Sequence, residues 1–283
     1  MDDFRIDEII KRALEEDIGY RDLTTENLIP EDHRSRGMIL AKQDGVIAGL
    51  EVARRTFTLL DAGVSFTQLV NDGDRVKSGD RLVELVGNTR ALLMGERVAL
   101  NFLQRMSGIA TRTYRLKELI RGEKAEIVDT RKTTPGLRIL EKYAVRAGGA
   151  RNHRFGLFDG VMIKDNHIRA AGGISQAVKA VRQRIPHTIK IEVEVEDLDM
   201  LREALEAGAD IILLDNMDVT TMKRAVEMTA GRALLEASGG INEHNLVEVA
   251  RTGVDYISIG ALTHSSPALD LSLELVTDAG CRA

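Results

Sequence analysis

The sequence predicts an α/β protein built around a partial or modified α/β barrel, on three observations. From about Lys124 onward, six short apolar runs rich in Val and Ile alternate with helix-like stretches, the pattern of parallel strands joined by right-handed crossover helices. Six runs are fewer than the eight strands of a complete barrel. Residues 1–90 lack the alternation, which marks them as a separate region. A doubly wound sheet is the alternative that the same pattern allows.

Taken in order, the elements are as follows. The opening MDDFRIDEII is acidic and has no long apolar run, unlike a secretory signal. NDGDRVKSGDRLVELVG (71–87) is a β pattern punctuated by Gly and Asp, read as a structural sheet. GERVALNFLQRMSG, from Gly95, reads as a helix carrying Arg97. The six apolar runs are EIVDTRK (126–132), GVMIKDN (160–166), TIKIEVEVE (188–196), DIILLDN (210–216), ALLEASGG (233–240) and YISIGALTH (256–264). Between them ISQAVKAVRQRI, DLDMLREALEAG, VTTMKRAVEMTAG and NEHNLVEVARTG show helical spacing.

In either fold the ligand lies at the carboxyl ends of the strands. Arg131 and Lys132 end the first run; Lys164, Asp165 and Asn166 end the second. Glu192 and Glu194 sit two apart and share one face of their strand. Asp215 and Asn216 follow, then Ser238, Gly239 and Gly240, then Gly260, Thr263 and His264. One charged strand end is ordinarily solvated. A circuit graded from cationic to acidic to glycine-rich is harder to explain that way. Glu194 and Asp215 are hard oxygen donors suited to Mg²⁺, directly or through water, shared with a polyphosphate. The SGG and IGALTH turns offer backbone N–H groups near helix starts, a cradle for phosphate. Arg131 and Arg154 can clamp carboxylates bidentately.

Charge supports a small anionic ligand. The 283-residue chain has a net charge of −5, yet residues 129–167 contain eight Lys/Arg against four Asp/Glu. Arg138, Lys142 and Arg146 recur every four residues and fit a solvated helix face. Arg131, Lys132, Arg151, Arg154 and Lys164 stand beside glycines or at strand ends. The acidic total argues against general nucleic-acid binding. No run approaches the roughly 18 apolar residues of a membrane span. The single cysteine, Cys281, builds neither a disulfide framework nor a zinc cluster, so a cytoplasmic location is expected. His153 and His264 fall among these motifs and His167 stands beside one. His33, His187 and His244 lie in polar surroundings and read as surface residues.

The stretch DTRKTTPGLRILEKYAVRAGGARNHRFGLFDGVMIKDNHI resembles the signature of the quinolinate phosphoribosyltransferase family. The likeness extends to GERVALNFLQRMSGIAT, IEVEVE, ILLDNM, ASGGI and SIGALTH, in the family's order over most of the chain. It implies an incomplete α/β barrel (108–265), an N-terminal α/β sandwich (1–107) and a tail (266–283) packed back on the first domain. It implies a reaction in which quinolinate and phosphoribosyl pyrophosphate give nicotinate mononucleotide, pyrophosphate and CO₂ in de novo NAD biosynthesis, with Mg²⁺ and with transfer preceding decarboxylation. Carried over residue by residue, Lys132 and Lys164 lie near the pyrophosphate and ribose. Glu194 and Asp215 anchor metal and ribose hydroxyls, and Ser238, Gly239, Gly240, Gly260, Ala261 and His264 hold the 5′-phosphate. Arg131, His153 and Arg154 hold the quinolinate carboxylates, and Arg97 and Thr130 complete the site. Gly148, Gly149 and Gly156 let the backbone turn to aim the cations, and Lys132 is the first choice of proton donor to C2. The family further implies a homodimer, or a hexamer of dimers, in which Arg97 serves the neighbouring subunit's site. The alternatives are a related enzyme acting on another heteroaromatic acid and a non-catalytic nucleotide-binding module on the same fold.

Overall fold

The computed structural model describes residues 4–276; Cys281 and the last part of the tail lie outside them. The described chain divides into two compact units, one of residues 4–112, 134–149 and 266–276, the other of residues 113–133 and 150–265.

The first unit opens with α1 (Phe4–Ile18) and α2 (Thr25–Leu28). Strand β1 (Arg34–Ala41) and β2 (Gly45–Val46) lead to α3 (Leu50–Leu60), followed by β3 (Ser65–Gln68), β4 (Arg75–Val76) and β5 (Arg81–Asn88). The 71–87 segment is therefore sheet, as its punctuation predicts. α4 (Thr89–Leu119) is a 31-residue helix that runs through the residue-107 boundary set from sequence and on into the second unit. Its interior glycine, Gly108, lies where a Cβ would stand 1.9 Å from the carbonyl oxygen of Pro267. Close backbone approach thus explains a residue that otherwise weakens a helix. The core packs Phe57 of α3, Leu82, Val83 and Leu85 of β5 and Leu92, Leu100 and Leu103 of α4.

β6 (Glu126–Val128) begins the parallel sheet. α5 (Arg138–Ala147) belongs to the first unit. Its solvated-face reading needs correction. Only Arg146 of the three cations is exposed, while Lys142 is 3% exposed. The neighbouring Glu141 is fully buried, because Arg105 of α4 donates to it at 2.8 Å and Thr134 donates through both its N–H and its hydroxyl.

The second unit continues with β7 (Val161–Ile163), α6 (Asp165–Ala171), α7 (Ile174–Arg182), β8 (Ile191–Val195), α8 (Leu198–Glu206), β9 (Ile211–Asp215), α9 (Val219–Thr229), β10 (Leu234–Ser238), α10 (Leu246–Ala250), β11 (Tyr256–Ser258) and α11 (Ala261–His264). β12 (Leu271–Val276) returns to the first unit and pairs antiparallel with β1, giving a four-stranded sheet of order β12-β1-β5-β3.

All six predicted strands form, in one parallel sheet of order β6-β11-β10-β9-β8-β7. No pairing joins β6 to β7, and a single parallel bridge from Val128 to Arg151 extends the β6 edge. The result is the incomplete barrel rather than the doubly wound sheet. Period-2 alternation sorts the side chains. Ile191, Val193, Val195, Ile212, Leu214 and Ala237 are fully buried on one face. The alternate positions, Glu192 and Glu194, Leu213 and Asp215, and Glu236 and Ser238, share the other. A parallel strand buried on both faces ordinarily carries apolar residues on each. Two glutamates at 4% exposure mark this interior as specialised.

Candidate active site

A pocket of about 480 Å³ opens at the carboxyl ends of the parallel strands, lined entirely by residues of the second unit. Eleven residues predicted from the strand ends and motifs line it: Thr130, Arg131, Lys132, His153, Arg154, Lys164, Glu194, Asp215, Ser238, Gly239 and Gly240. Asn216, also named at a strand end, lines it too, together with Met162, Leu213, Glu236 and Ser258, which the sequence did not single out.

Gly260 lies beside the pocket rather than on its wall. A Cβ there would come 2.9 Å from Lys132 Cδ, and the Thr263 hydroxyl donates to the Lys132 carbonyl at 2.7 Å. The turn carrying Gly260, Ala261 and His264 thus packs against Lys132. His264 is exposed, with Nδ1 2.6 Å from the Ser265 hydroxyl. Arg97 lies on α4 within the first unit, with its side chain 57% exposed and 3.9 Å from Glu96. His167 caps α6 by accepting the Lys164 N–H at 3.0 Å. His33, His187 and His244 are exposed, as expected.

The glycine turns differ from expectation in detail. Helix α11 follows Gly260 directly, but α10 starts only at Leu246, well after Gly240. Gly239 has φ +95°, and a Cβ would meet Asn216 Oδ1 at 2.1 Å. Asn216 is itself left-handed, with φ +53°, a region that Asn tolerates better than most residues. Its N–H donates to Ser238 O at 2.9 Å, tying the ends of β9 and β10 together. Among Gly148, Gly149 and Gly156, only Gly149 uses positive φ.

Two networks organise the polar groups. In the first, Asp129 is fully buried and accepts from Asn152 Nδ2 at 2.6 Å and from the His153 N–H at 2.9 Å. The Arg154 guanidinium donates to Gly160 O at 3.1 Å. Burial lowers the pKa of Arg154, and the neighbouring Arg131 charge adds to this; two guanidiniums lining one pocket offer bidentate donors to an anion. In the second, Lys164 Nζ contacts Glu194 Oε2 directly. Asp215 takes one side-chain hydrogen bond, from Asn216 at 3.0 Å.

Beneath the wall, His153 Nε2 lies 3.0 Å from Glu192 Oε2 and 3.6 Å from Glu236 Oε2. His153 Nδ1 accepts the Arg154 N–H at 2.7 Å. With Nδ1 accepting, the ring's N–H is assigned to Nε2, which faces the carboxylates. Burial, then the adjacent Glu192 charge, pushes the Glu236 carboxyl up to about 7. Glu192 Oε1 and Glu236 Oε1 are buried without a partner.

An open α/β barrel that gathers guanidinium, ammonium and carboxylate groups at its strand ends has the form of an enzyme for small polyanionic substrates. The chain belongs to the quinolinate phosphoribosyl transferase family: residues 22–107 match its N-terminal domain and residues 109–274 its C-terminal domain. It is 46% identical to a Bacillus subtilis (strain 168) protein named "probable nicotinate-nucleotide pyrophosphorylase (carboxylating)", over 97% of this chain and 95% of that one. It is 44% identical to the mitochondrial quinolinate phosphoribosyltransferase (decarboxylating) 2b of Nicotiana tabacum, over 97% and 83% of the two chains. The solved structure of the nicotinate-nucleotide pyrophosphorylase from Francisella tularensis superposes with a TM-score of 0.92 at 41% identity, covering 96% of each chain.

Proposed function

We propose that this chain transfers the phosphoribosyl group of phosphoribosyl pyrophosphate to quinolinate and releases CO₂, forming nicotinate mononucleotide for NAD biosynthesis. The observation that carries this is the pocket lining: Arg131, Lys132, Arg154 and Lys164 line one space together with Glu194 and Asp215. The two substrates together bring two carboxylates, a phosphate and a pyrophosphate. Fixed cations in a partly dry pocket stabilise such groups without reorganising during reaction.

Arg131 and Arg154 take the two carboxylates, each charge-assisted bond contributing roughly 1.5–3 kcal/mol. His153 fixes the backbone and the buried acids beside them, and Met162 and Leu213 supply apolar surface for the ring. Thr130 shapes the same end by accepting the Lys132 N–H at 3.0 Å. Lys132 and Lys164 serve the pyrophosphate and reacting ribose. Ser238, Gly239 and Gly240, with the Gly260–Ala261–His264 turn, serve the 5′-phosphate. Mg²⁺ fits the donor set, since Asp215 has no cationic side-chain partner among the described residues; with Glu194 it would hold the ion, which supplies charge neutralisation to the departing pyrophosphate. Ribosylation makes the ring nitrogen cationic, and that charge stabilises the electron pair left at C2 as CO₂ leaves. Arg97 completes the site of a neighbouring subunit in a homodimer, or in a hexamer of dimers. One cysteine in 283 residues suits a reducing compartment, and we place the enzyme in the cytoplasm on that ground. Among the described residues no helix is long and apolar enough to cross a membrane.

Nicotinate lacks the carboxylate beside the ring nitrogen, so binding it leaves part of the clamp without its anion. Purified protein should form nicotinate mononucleotide from quinolinate with kcat/KM higher by roughly 10⁴-fold or more than from nicotinate. Comparable use of both acids would refute the carboxylate clamp.

A further inference from the structure

The reaction just proposed consumes a proton, because hydrogen replaces the carboxylate at C2. Some group must deliver it inside the pocket. Arginine does not give up a proton in this range, which excludes Arg131 and Arg154. His153 directs its Nε2–H at the buried glutamates, and its Nδ1 carries no proton. The Lys164 ammonium is held by Glu194. Lys132 and Glu236 remain.

We propose that Glu236 is the proton donor to C2, so that the floor of the barrel, and not Lys132, completes the decarboxylation; this rests on the quinolinate reading of the pocket.

Geometry places the carboxyl correctly. Glu236 occupies an interior-facing position of β10, two residues before Ser238, and lines the pocket while only 4% exposed. The titratable groups facing it are Glu192 from β8 and His153 and Asp129 from the segments around β6; the Ser258 hydroxyl of β11 donates to the Ala237 carbonyl beside it at 3.4 Å. Two carboxylates packed this closely in a dry interior do not both ionise. With its ordinary acidity weakened to about 7, Glu236 keeps its proton in a substantial share of molecules at neutral pH. A carboxyl of this acidity is a better donor at neutral pH than a lysine ammonium.

The step balances. After ribosylation the C2–carboxylate bond breaks, CO₂ departs and the bonding pair stays on C2 beside the cationic nitrogen. The Glu236 O–H bond breaks, its proton forms the C2–H bond with that pair, and the carboxylate regains a proton from water once products leave.

The test is a single-turnover rapid-quench experiment with quinolinate, phosphoribosyl pyrophosphate and Mg²⁺, following pyrophosphate and nicotinate mononucleotide separately. In E236Q, pyrophosphate should appear within about threefold of the native rate while the mononucleotide forms at least about 100-fold more slowly. A packing defect would slow both together. In the native enzyme, mononucleotide formation should fall as pH rises above about 7, since the protonated acid is the active form. That profile tests the proposal even if E236Q does not fold. Equal rates for the two products in E236Q, or a native profile holding up to about pH 10 as a lysine donor would give, overturns the assignment. A native enzyme that releases neither pyrophosphate nor CO₂ fails at the earlier step, the identity of the reaction.

Discussion

At the residue scale the carboxylates of the barrel interior differ in kind. Glu192 and Glu236 are buried beside His153, whereas Glu194 is matched by Lys164 and Asp215 faces the pocket with only an amide partner. Asp215→Asn is nearly isosteric at a strand end and should keep the fold. We expect it to lose most activity and to need more Mg²⁺ for half-maximal rate, because a charged oxygen ligand becomes neutral. A Mg²⁺ titration of the variant checks this, and native activity at ordinary Mg²⁺ would make Asp215 a bystander. The pocket cations were legible because charged residues ended apolar runs. Glu236 carried the same kind of signal, a lone acid inside ALLEASGG, but a single residue in a buried run does not say which way it faces until neighbouring strands are placed. Asn216 was visible at its strand end, but its structural part was not, since that lies in a left-handed backbone that lets it strap β9 to β10.

At the scale of the element, the six parallel strands were readable because each is a short Val/Ile run closed by polar or glycine residues. The burial of α5 was not. Its Arg138, Lys142 and Arg146 show the spacing of a solvated face, yet Lys142 is buried, and the partner of its buried neighbour Glu141, Arg105, comes from 36 residues upstream. No local pattern encodes a contact of that kind. Helix ends were partly legible. Asp197, which reads as an ordinary surface acid, is the N-cap of α8 and accepts the N–H groups of Asp199 and Met200 at 2.9 and 2.8 Å. The long helix α4 yields the sharpest stability prediction. Gly108→Ala restores helix propensity but drives a methyl into the Pro267 carbonyl. Backbone cannot yield as a side-chain tip does, so the substitution should destabilise by ~1–3 kcal/mol. Equilibrium urea unfolding measures it, and a gain in stability would show that the close approach is not enforced.

At the scale of the whole molecule, the family likeness covers both domains, and the pocket lining comes from one unit alone. If Arg97 serves a neighbouring subunit, Arg97→Ala and Lys164→Ala should each be nearly inactive, yet co-folded mixtures should regain about a quarter of native activity. Random pairing makes half the dimers mixed, and each mixed dimer has one intact site of two. Activity staying near zero would put Arg97 on its own barrel. The central claim, that this one pocket couples phosphoribosyl transfer to loss of the C2 carboxylate, is tested most directly with quinolinate labelled with ¹³C in one carboxylate at a time. With phosphoribosyl pyrophosphate and Mg²⁺, labelled CO₂ should appear from the C2-carboxylate label only, in one-to-one ratio with pyrophosphate. Pyrophosphate without CO₂, label released from the C3 carboxylate, or no release of either would contradict it.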